Sequence, residues 1–393
     1  MFDAFGLALL LMPMAGAVGW YLRSRVRPPE AAAAPNTDYL QGVQYLVNDE
    51  TDKAMDVFIR LLEVDNDTVE THLALGSLFR RRGEVDRALR VHQNLVARPN
   101  LDHQYRNRAR LELAQDYMKA GVLDRAEGLY LELLEQGMFL DVALASLVSI
   151  YEKERDWERA IEATRRQEKV QGRPEPRRLA QYACELAEEA LWQKDTKTAL
   201  QWTKKALADD RDCVRASLLE GKAREAAEDP KGAIRAYRRV VRQDTRYVVE
   251  TLQPLKRCYA AVDDRDQWLS LLHELASAEA PPAVQIALAD EIGNGQGVER
   301  LAEYLSHTPS WTAFNHLLAL NQTELPGPLA APLETLHTAL KATLASAPLY
   351  ACQQCGFSGR AIHWQCPSCR HWSSMVPVSD VARPGMGSRQ AAS

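Results

Sequence analysis

The chain has 393 residues, 46% of them hydrophobic and 26% charged, with a formal net charge of -5. This composition excludes a collagen-like, wholly disordered or multi-span membrane protein, because apolar residues are plentiful but only one long uncharged stretch occurs. The mildly acidic balance argues against a dedicated nucleic-acid binder, and seven cysteines, four of them between positions 352 and 369, do not form the pattern of a secreted disulfide framework.

The uncharged stretch comes first. Ala4 to Leu22 is 19 residues, which at a helical rise of about 1.5 Å per residue nearly spans a hydrocarbon core of roughly 30 Å. Asp3 precedes it, and Arg23, Arg25 and Arg27 follow it. That charge order is the reverse of a cleavable signal peptide's and favours a retained anchor. Basic residues stay on the cytoplasmic side, so a short outward N-terminus and a cytoplasmic remainder are predicted. Residues 23–35, rich in Pro and Ala, read as a linker.

From residue 36 the chain repeats itself. Gly42 and Gly76, Ala54 and Ala88, Ala126 and Ala160, Ala199 and Ala233, and Gly221 and Leu255 are each 34 residues apart. The step grows to 38 between Ala88 and Ala126 and to 39 between Ala160 and Ala199, placing proline-containing insertions near Arg98 to His103 and Gly172 to Arg177. Small residues at these offsets allow two amphipathic helices to approach closely, and stacked pairs share one core. The pattern resembles tetratricopeptide repeats over residues 36–278. It degrades afterwards: Gln267 stands where a small residue is wanted, and Asn294 to Gly297 reads as a Gly-rich break. Helical segments at Ala283 to Ile292, Val298 to Leu305 and Trp311 to Leu320 continue it in weaker form. The Arg clusters at 80–82, 106–110, 177–178 and 238–239 are expected to be solvated helix faces. Cys184, Cys213 and Cys258 fall within helices and are expected to be buried thiols.

Leu333, Leu336, Leu340 and Leu344 mark one more helix, closing the segment 279–347 before Pro348. Residues 348–378 then carry Cys352-x-x-Cys355 and Cys366-x-x-Cys369, with ten residues between the pairs. Each pair can grip a metal from a tight turn, and two turns complete a tetrahedral set of four thiolates. Two such pairs on one short hairpin favour a metal over a redox-active disulfide. Both iron and zinc accept four thiolates. His363 and His371 are not needed as ligands; Phe357, Trp364 and Trp372 are assigned to the small domain's core or to its contact with the preceding helix. The turns resemble those of rubredoxin and zinc ribbons, although Arg370 replaces the glycine that usually follows the second. Residues 379–393 read as a disordered tail. No phosphate loop, HExxH motif or nucleophile–base pair stands out, so the chain is predicted not to be an enzyme.

The predicted fold class is therefore all-α: a superhelical solenoid of tetratricopeptide type, with one N-terminal transmembrane helix and a small C-terminal rubredoxin-like or zinc-ribbon metal domain. LLMPMAGAVGWYLRSR at the N-terminus, the repeat array, then CQQCGF and WQCPSCRHW occur in that order. The layout resembles the membrane-anchored lipopolysaccharide assembly protein B family of Gram-negative bacteria. That resemblance implies a non-enzymatic inner-membrane adaptor whose metal domain packs against its repeats. It further implies that the adaptor promotes degradation of the lipid A committing deacetylase by a membrane-bound AAA+ metalloprotease. Partners implied with these are lipopolysaccharide synthesis and transport proteins and an inner-membrane regulatory protein that restrains it. The alternatives are a rubredoxin-type electron-transfer module and a scaffold or chaperone for lipopolysaccharide synthesis and transport enzymes.

Overall fold

The computed structural model describes residues 37–48, 50, 53–54, 57, 69–277, 280–321 and 330–378. The anchor predicted at 1–22, the linker at 23–35 and the tail at 379–393 lie outside them. Among the described residues, no helix is long and apolar enough to cross a membrane. The chain divides between Phe139 and Leu140 into two compact units.

The first unit contains α1 (Thr37–Val47), α2 (Val69–Arg82), α3 (Val85–Val96), α4 (His103–Ala120) and α5 (Leu123–Glu135). Gly76 on α2 is required by a close approach: a Cβ there would lie 2.3 Å from Nε2 of His92 on α3. The buried His92 ring meets Asp116 of α4 through Nδ1. Arg80 donates to Asp116 at 2.7 Å and to Glu112 at 2.7 Å, and Ser77 donates to the same Glu112 at 2.8 Å. Burial favours the neutral forms of Arg80 and Glu112, but their mutual hydrogen bonds outweigh it, raising the arginine and lowering the carboxyl. Arg80 is thus not a solvated face, contrary to the expectation for its cluster. It ties α2 to α4, where removing either partner would strand a half-buried charge.

The second unit begins with α6 (Leu140–Glu154), α7 (Trp157–Gln171), α8 (Pro176–Trp192), α9 (Thr196–Asp209), α10 (Val214–Ala226) and α11 (Pro230–Gln243). A 3-10 turn (Thr245–Val248) leads into α12 (Val249–Ala261) and α13 (Arg265–Leu275). The helices pack as successive pairs, α6 with α7, α8 with α9 and α10 with α11. The turns within pairs share one conformation: Arg155, Lys194, Glu228 and Asp263 have φ of 59°, 61°, 56° and 53°. Each is followed by an aspartate (Asp156, Asp195, Asp229, Asp264) whose carboxylate accepts the backbone N–H three residues on, capping the next helix. A left-handed non-glycine residue costs about 1–2 kcal/mol, and an aspartate cap returns about 1 kcal/mol. In the first unit Gly83 and Gly121 occupy the same turn position, and the residues after them cap with no side chain.

The alanines that set the repeat, Ala88, Ala126, Ala160, Ala199 and Ala233, are all fully buried. Gln267, one step further, is exposed, and Trp268 takes the buried position against Tyr259 instead. Beyond this come α14 (Pro282–Ile292), α15 (Asn294–His307), α16 (Trp311–Asn321) and α17 (Ala330–Ser346). Asn294 to Gly297, read from sequence as a break, forms the first turn of α15; Gly297 is needed there because a Cβ would lie 2.5 Å from the Ala289 carbonyl oxygen. The leucine stripe of α17 is not buried: Leu336 is 47% exposed. Three short strands, β1 (Tyr350–Cys352), β2 (Ser358–Gly359) and β3 (Met375–Pro377), end the described chain as an antiparallel sheet in the order β2-β1-β3.

Candidate metal centre

Each CxxC pair is closed by the same two backbone hydrogen bonds. In the first turn Gly356 N–H donates to the Cys352 carbonyl (3.0 Å) and Cys352 N–H to the Phe357 carbonyl (2.7 Å). In the second, Arg370 N–H donates to Cys366 (2.9 Å) and Cys366 N–H to His371 (3.0 Å). Both turns need a left-handed residue directly after the second cysteine, and Gly356 (φ 75°) and Arg370 (φ 59°) provide it. Glycine adopts this conformation freely, whereas arginine does so at a cost. Arg370→Gly is therefore expected to stabilise this domain by about 1 kcal/mol, read as a higher melting midpoint of Trp364 and Trp372 fluorescence; a lower midpoint would contradict it.

The two turns bring Cys352, Cys355, Cys366 and Cys369 together, with all four sulfurs within 4.8 Å of one another. Cys352 Sγ lies 3.7 Å from Cys369 Sγ, and Cys355 Sγ lies 3.7 Å from Cys366 Sγ. A tetrahedron with metal–sulfur bonds of about 2.3 Å has edges of about 3.8 Å, so both cross-turn distances fit one four-thiolate ion. Neither histidine joins the cluster: His363 and His371 are exposed, and His371 Nδ1 lies 3.2 Å from the Cys369 carbonyl oxygen.

The electrostatics agree. Burial pushes the Cys352 thiol up, but the Ser374 hydroxyl 3.3 Å away and the N–H groups of Cys355 and Gln354 outweigh it and hold the pKa at about 6. The Phe357 N–H draws Cys355 below its ordinary value. The His371 N–H lowers Cys369, but burial and the three neighbouring sulfurs drive it up to about 12. Backbone dipoles thus favour thiolates where four negative charges repel one another, the conflict that a bound cation resolves. The donor set fits iron or zinc alike.

The cysteine domain is seated on α6, α8 and α10, on the start of α7, and on the 3-10 turn and first residues of α12. Trp372 donates its indole N–H to Glu152 (3.0 Å) and stands edge-on to Trp157 and Tyr182, with ring centroids 6.0 and 5.8 Å away. Glu152 also accepts from Tyr182 (2.5 Å) and from Arg178 (3.2 Å). Gln181 donates to the Ser373 hydroxyl (2.9 Å), and the Tyr247 hydroxyl donates to the Met375 carbonyl (2.7 Å). Trp364 stacks on Tyr247 at 5.8 Å with the guanidinium of buried Arg215 over it, and Tyr350 pairs with Glu250. Of the three aromatics singled out in the sequence, only Phe357 packs within the small domain's own core; Trp364 and Trp372 contact the repeats, not the preceding helix. That helix is held instead by Arg360, which donates to the Leu344 and Ala347 carbonyls.

Of the receiving residues Glu152, Trp157, Gln181, Tyr182, Arg215 and Tyr247, only Gln181 and Arg215 stand one 34-residue step apart, and as different residue types they do not stand out in the sequence. Arg178, expected on a solvated face, belongs to this seat. Cys184, Cys213 and Cys258 are buried as expected. The fold also brings the Cys184 and Cys213 sulfurs within 3.9 Å of each other, beside Gln181.

Fold and site define a tetratricopeptide-repeat protein with a rubredoxin-like metal-binding domain. The tetratricopeptide-repeat family model matches residues 71–104 and 143–168, and a model described as a rubredoxin metal binding domain matches residues 350–377. The chain belongs to the lipopolysaccharide assembly protein B family. It is 34% identical over 381 residues to lipopolysaccharide assembly protein B of Escherichia coli strain K12, covering 95% of this chain and 98% of that one. Against the protein of the same name from Haemophilus influenzae strain Rd it is 33% identical over 393 residues, again covering 95% and 98%.

Proposed function

We propose that this protein is a non-enzymatic adaptor of lipopolysaccharide assembly, held at the inner membrane by residues 1–22, with the linker at 23–35 and all later parts in the cytoplasm. Its clients are the lipid A committing deacetylase and the membrane-bound AAA+ metalloprotease that destroys it; the repeats hold them near each other. The near full-length match to lipopolysaccharide assembly protein B carries this reading. A tether concentrates client and protease at one leaflet, so degradation is accelerated by raised effective concentration, without chemistry by the adaptor.

In this reading Cys352, Cys355, Cys366 and Cys369 hold one iron or zinc ion, which cross-links two turns too short to fold alone. The seat on the repeats supports a structural role for it. Because the cysteine domain covers residues of α6, α7, α8, α10 and α12 in the second unit, client contacts there fall on other surfaces. The experiment is the half-life of the deacetylase after protein synthesis is stopped, with the adaptor present and then depleted. Depletion is expected to lengthen it several-fold; an unchanged half-life would overturn the proteolytic role and favour a scaffold for synthesis and transport enzymes.

A further inference from the structure

In the second unit, between α9 and α11 and over α10, two adjoining cavities of about 610 and 630 Å³ share Glu220, Arg224 and Arg239. Their combined lining holds seven basic side chains and one carboxylate, in a chain whose net charge is -5. That carboxylate, Glu220, is already occupied: Arg224 donates to one oxygen at 2.8 Å and Arg239 pairs with the other. Lys197 and Lys204 on α9 and Arg235 and Arg242 on α11 are exposed, and their side chains form no salt bridge among the described residues; the side chains of Lys197 and Arg235 act on Asp195 and Asp229 only through their charge. Half-buried Leu200 and Leu207 on α9 and buried Ala236 on α11 supply the apolar lining, and the Glu220–Arg224–Arg239 cluster lies where the two cavities join.

These four cations stand in pairs along each helix at a separation of seven residues, two helical turns, or about 10 Å. A partner helix with acidic residues at the same interval meets both walls, and its apolar stripe lies on the leucines. We infer that this groove binds an acidic amphipathic segment of a partner protein. A flat anionic membrane is a poorer match, because the basic and apolar lining is concave. A nucleic acid is poorer still, because no aromatic side chain lines the groove for bases to stack on. The inference concerns binding alone and is independent of whether a bound client is degraded.

The test uses the full-length protein in zwitterionic lipid nanodiscs and a fluorescein-labelled peptide of about 20 residues carrying glutamates on both edges of a leucine stripe. Fluorescence anisotropy is expected to show saturable binding that weakens with salt. Arg235→Glu with Arg242→Glu is expected to weaken it at least about tenfold, as is glutamine for glutamate in the peptide. Both arginines are exposed, so the variant leaves the core and the cysteine domain intact. Unsaturable binding, or equal affinity for the parent and the double variant, would overturn the inference. So would failure of the peptide to bind while phosphatidylglycerol vesicles are captured by the parent and not by the variant, an outcome that would assign the groove to lipid.

Discussion

Cys366→Ser is expected to abolish metal binding and unfold the cysteine domain while leaving the repeats helical. Cys366 is buried, and its sulfur lies on one of the two cross-turn edges. Serine leaves three thiolates and a hydroxyl that does not ionise near neutral pH, so tetrahedral coordination by four sulfurs is lost. Structural zinc sites contribute apparent binding energies of about 10–16 kcal/mol, far more than three strands of two or three residues gain from their own packing. Metal analysis of protein expressed at its native level is expected to give one equivalent of iron or zinc for the parent and less than about a tenth for the variant. Thiolate-to-iron absorption that bleaches on reduction distinguishes iron from colourless zinc. Far-ultraviolet circular dichroism is expected to change little, because nearly all regular structure lies in the helices. Proteolysis is expected to move to residues near 350, since Trp364 and Trp372 no longer hold the domain down. A variant with full metal content and parental protease resistance would contradict the assignment.

The grouping of the four cysteines was legible because the paired CxxC pattern, which suits metal ligation, fixes residue type and local spacing together in one short stretch of sequence. The repeat was legible for a similar reason: a helix pair that packs through small residues must place them at recurring offsets, and Ala126 to Ala160 and Ala199 to Ala233 keep the 34-residue step while the longer steps from Ala88 and from Ala160 mark inserted loops. The seat of the cysteine domain was not legible from the residues. Trp372 and Glu152 are 220 positions apart, and Tyr350 and Glu250 are 100 apart; a contact of that range leaves no periodic trace. The resemblance to the family implied the packing but named none of these side chains. The arginines were misread for the same reason. Arg80 looks like its exposed neighbours until α4 places Glu112 and Asp116 against it, and Arg178 until α6 brings Glu152. Arg370 was noted as a departure from the usual glycine, and its left-handed backbone explains why glycine is usual there.

Trp372→Ala separates a folded cysteine domain from a docked one. The substitution removes the edge contacts with Trp157 and Tyr182 and the donor to Glu152. It touches none of the four sulfurs, so metal content is expected to stay at one equivalent. The lost ring contacts and hydrogen bond are worth about 3 kcal/mol, which corresponds to a shift of roughly a hundredfold in the equilibrium between seated and released domain. Glu152 keeps Tyr182 and Arg178 as partners, so no buried charge is stranded and α6 and α8 stay folded. Hydrogen exchange is expected to accelerate at Trp372's neighbours in β3 and to change little in α2 to α5. Trp372→Phe keeps the aromatic edge but loses the donor, and is expected to cost only about 1 kcal/mol. Under the proposed function, failure of deacetylase turnover with Trp372→Ala while the metal is retained would mean that the docked domain is required, and normal turnover would mean that folding of that domain suffices. Exchange protection unchanged from the parent would show that the Trp372 contacts do not hold the domain in its seat.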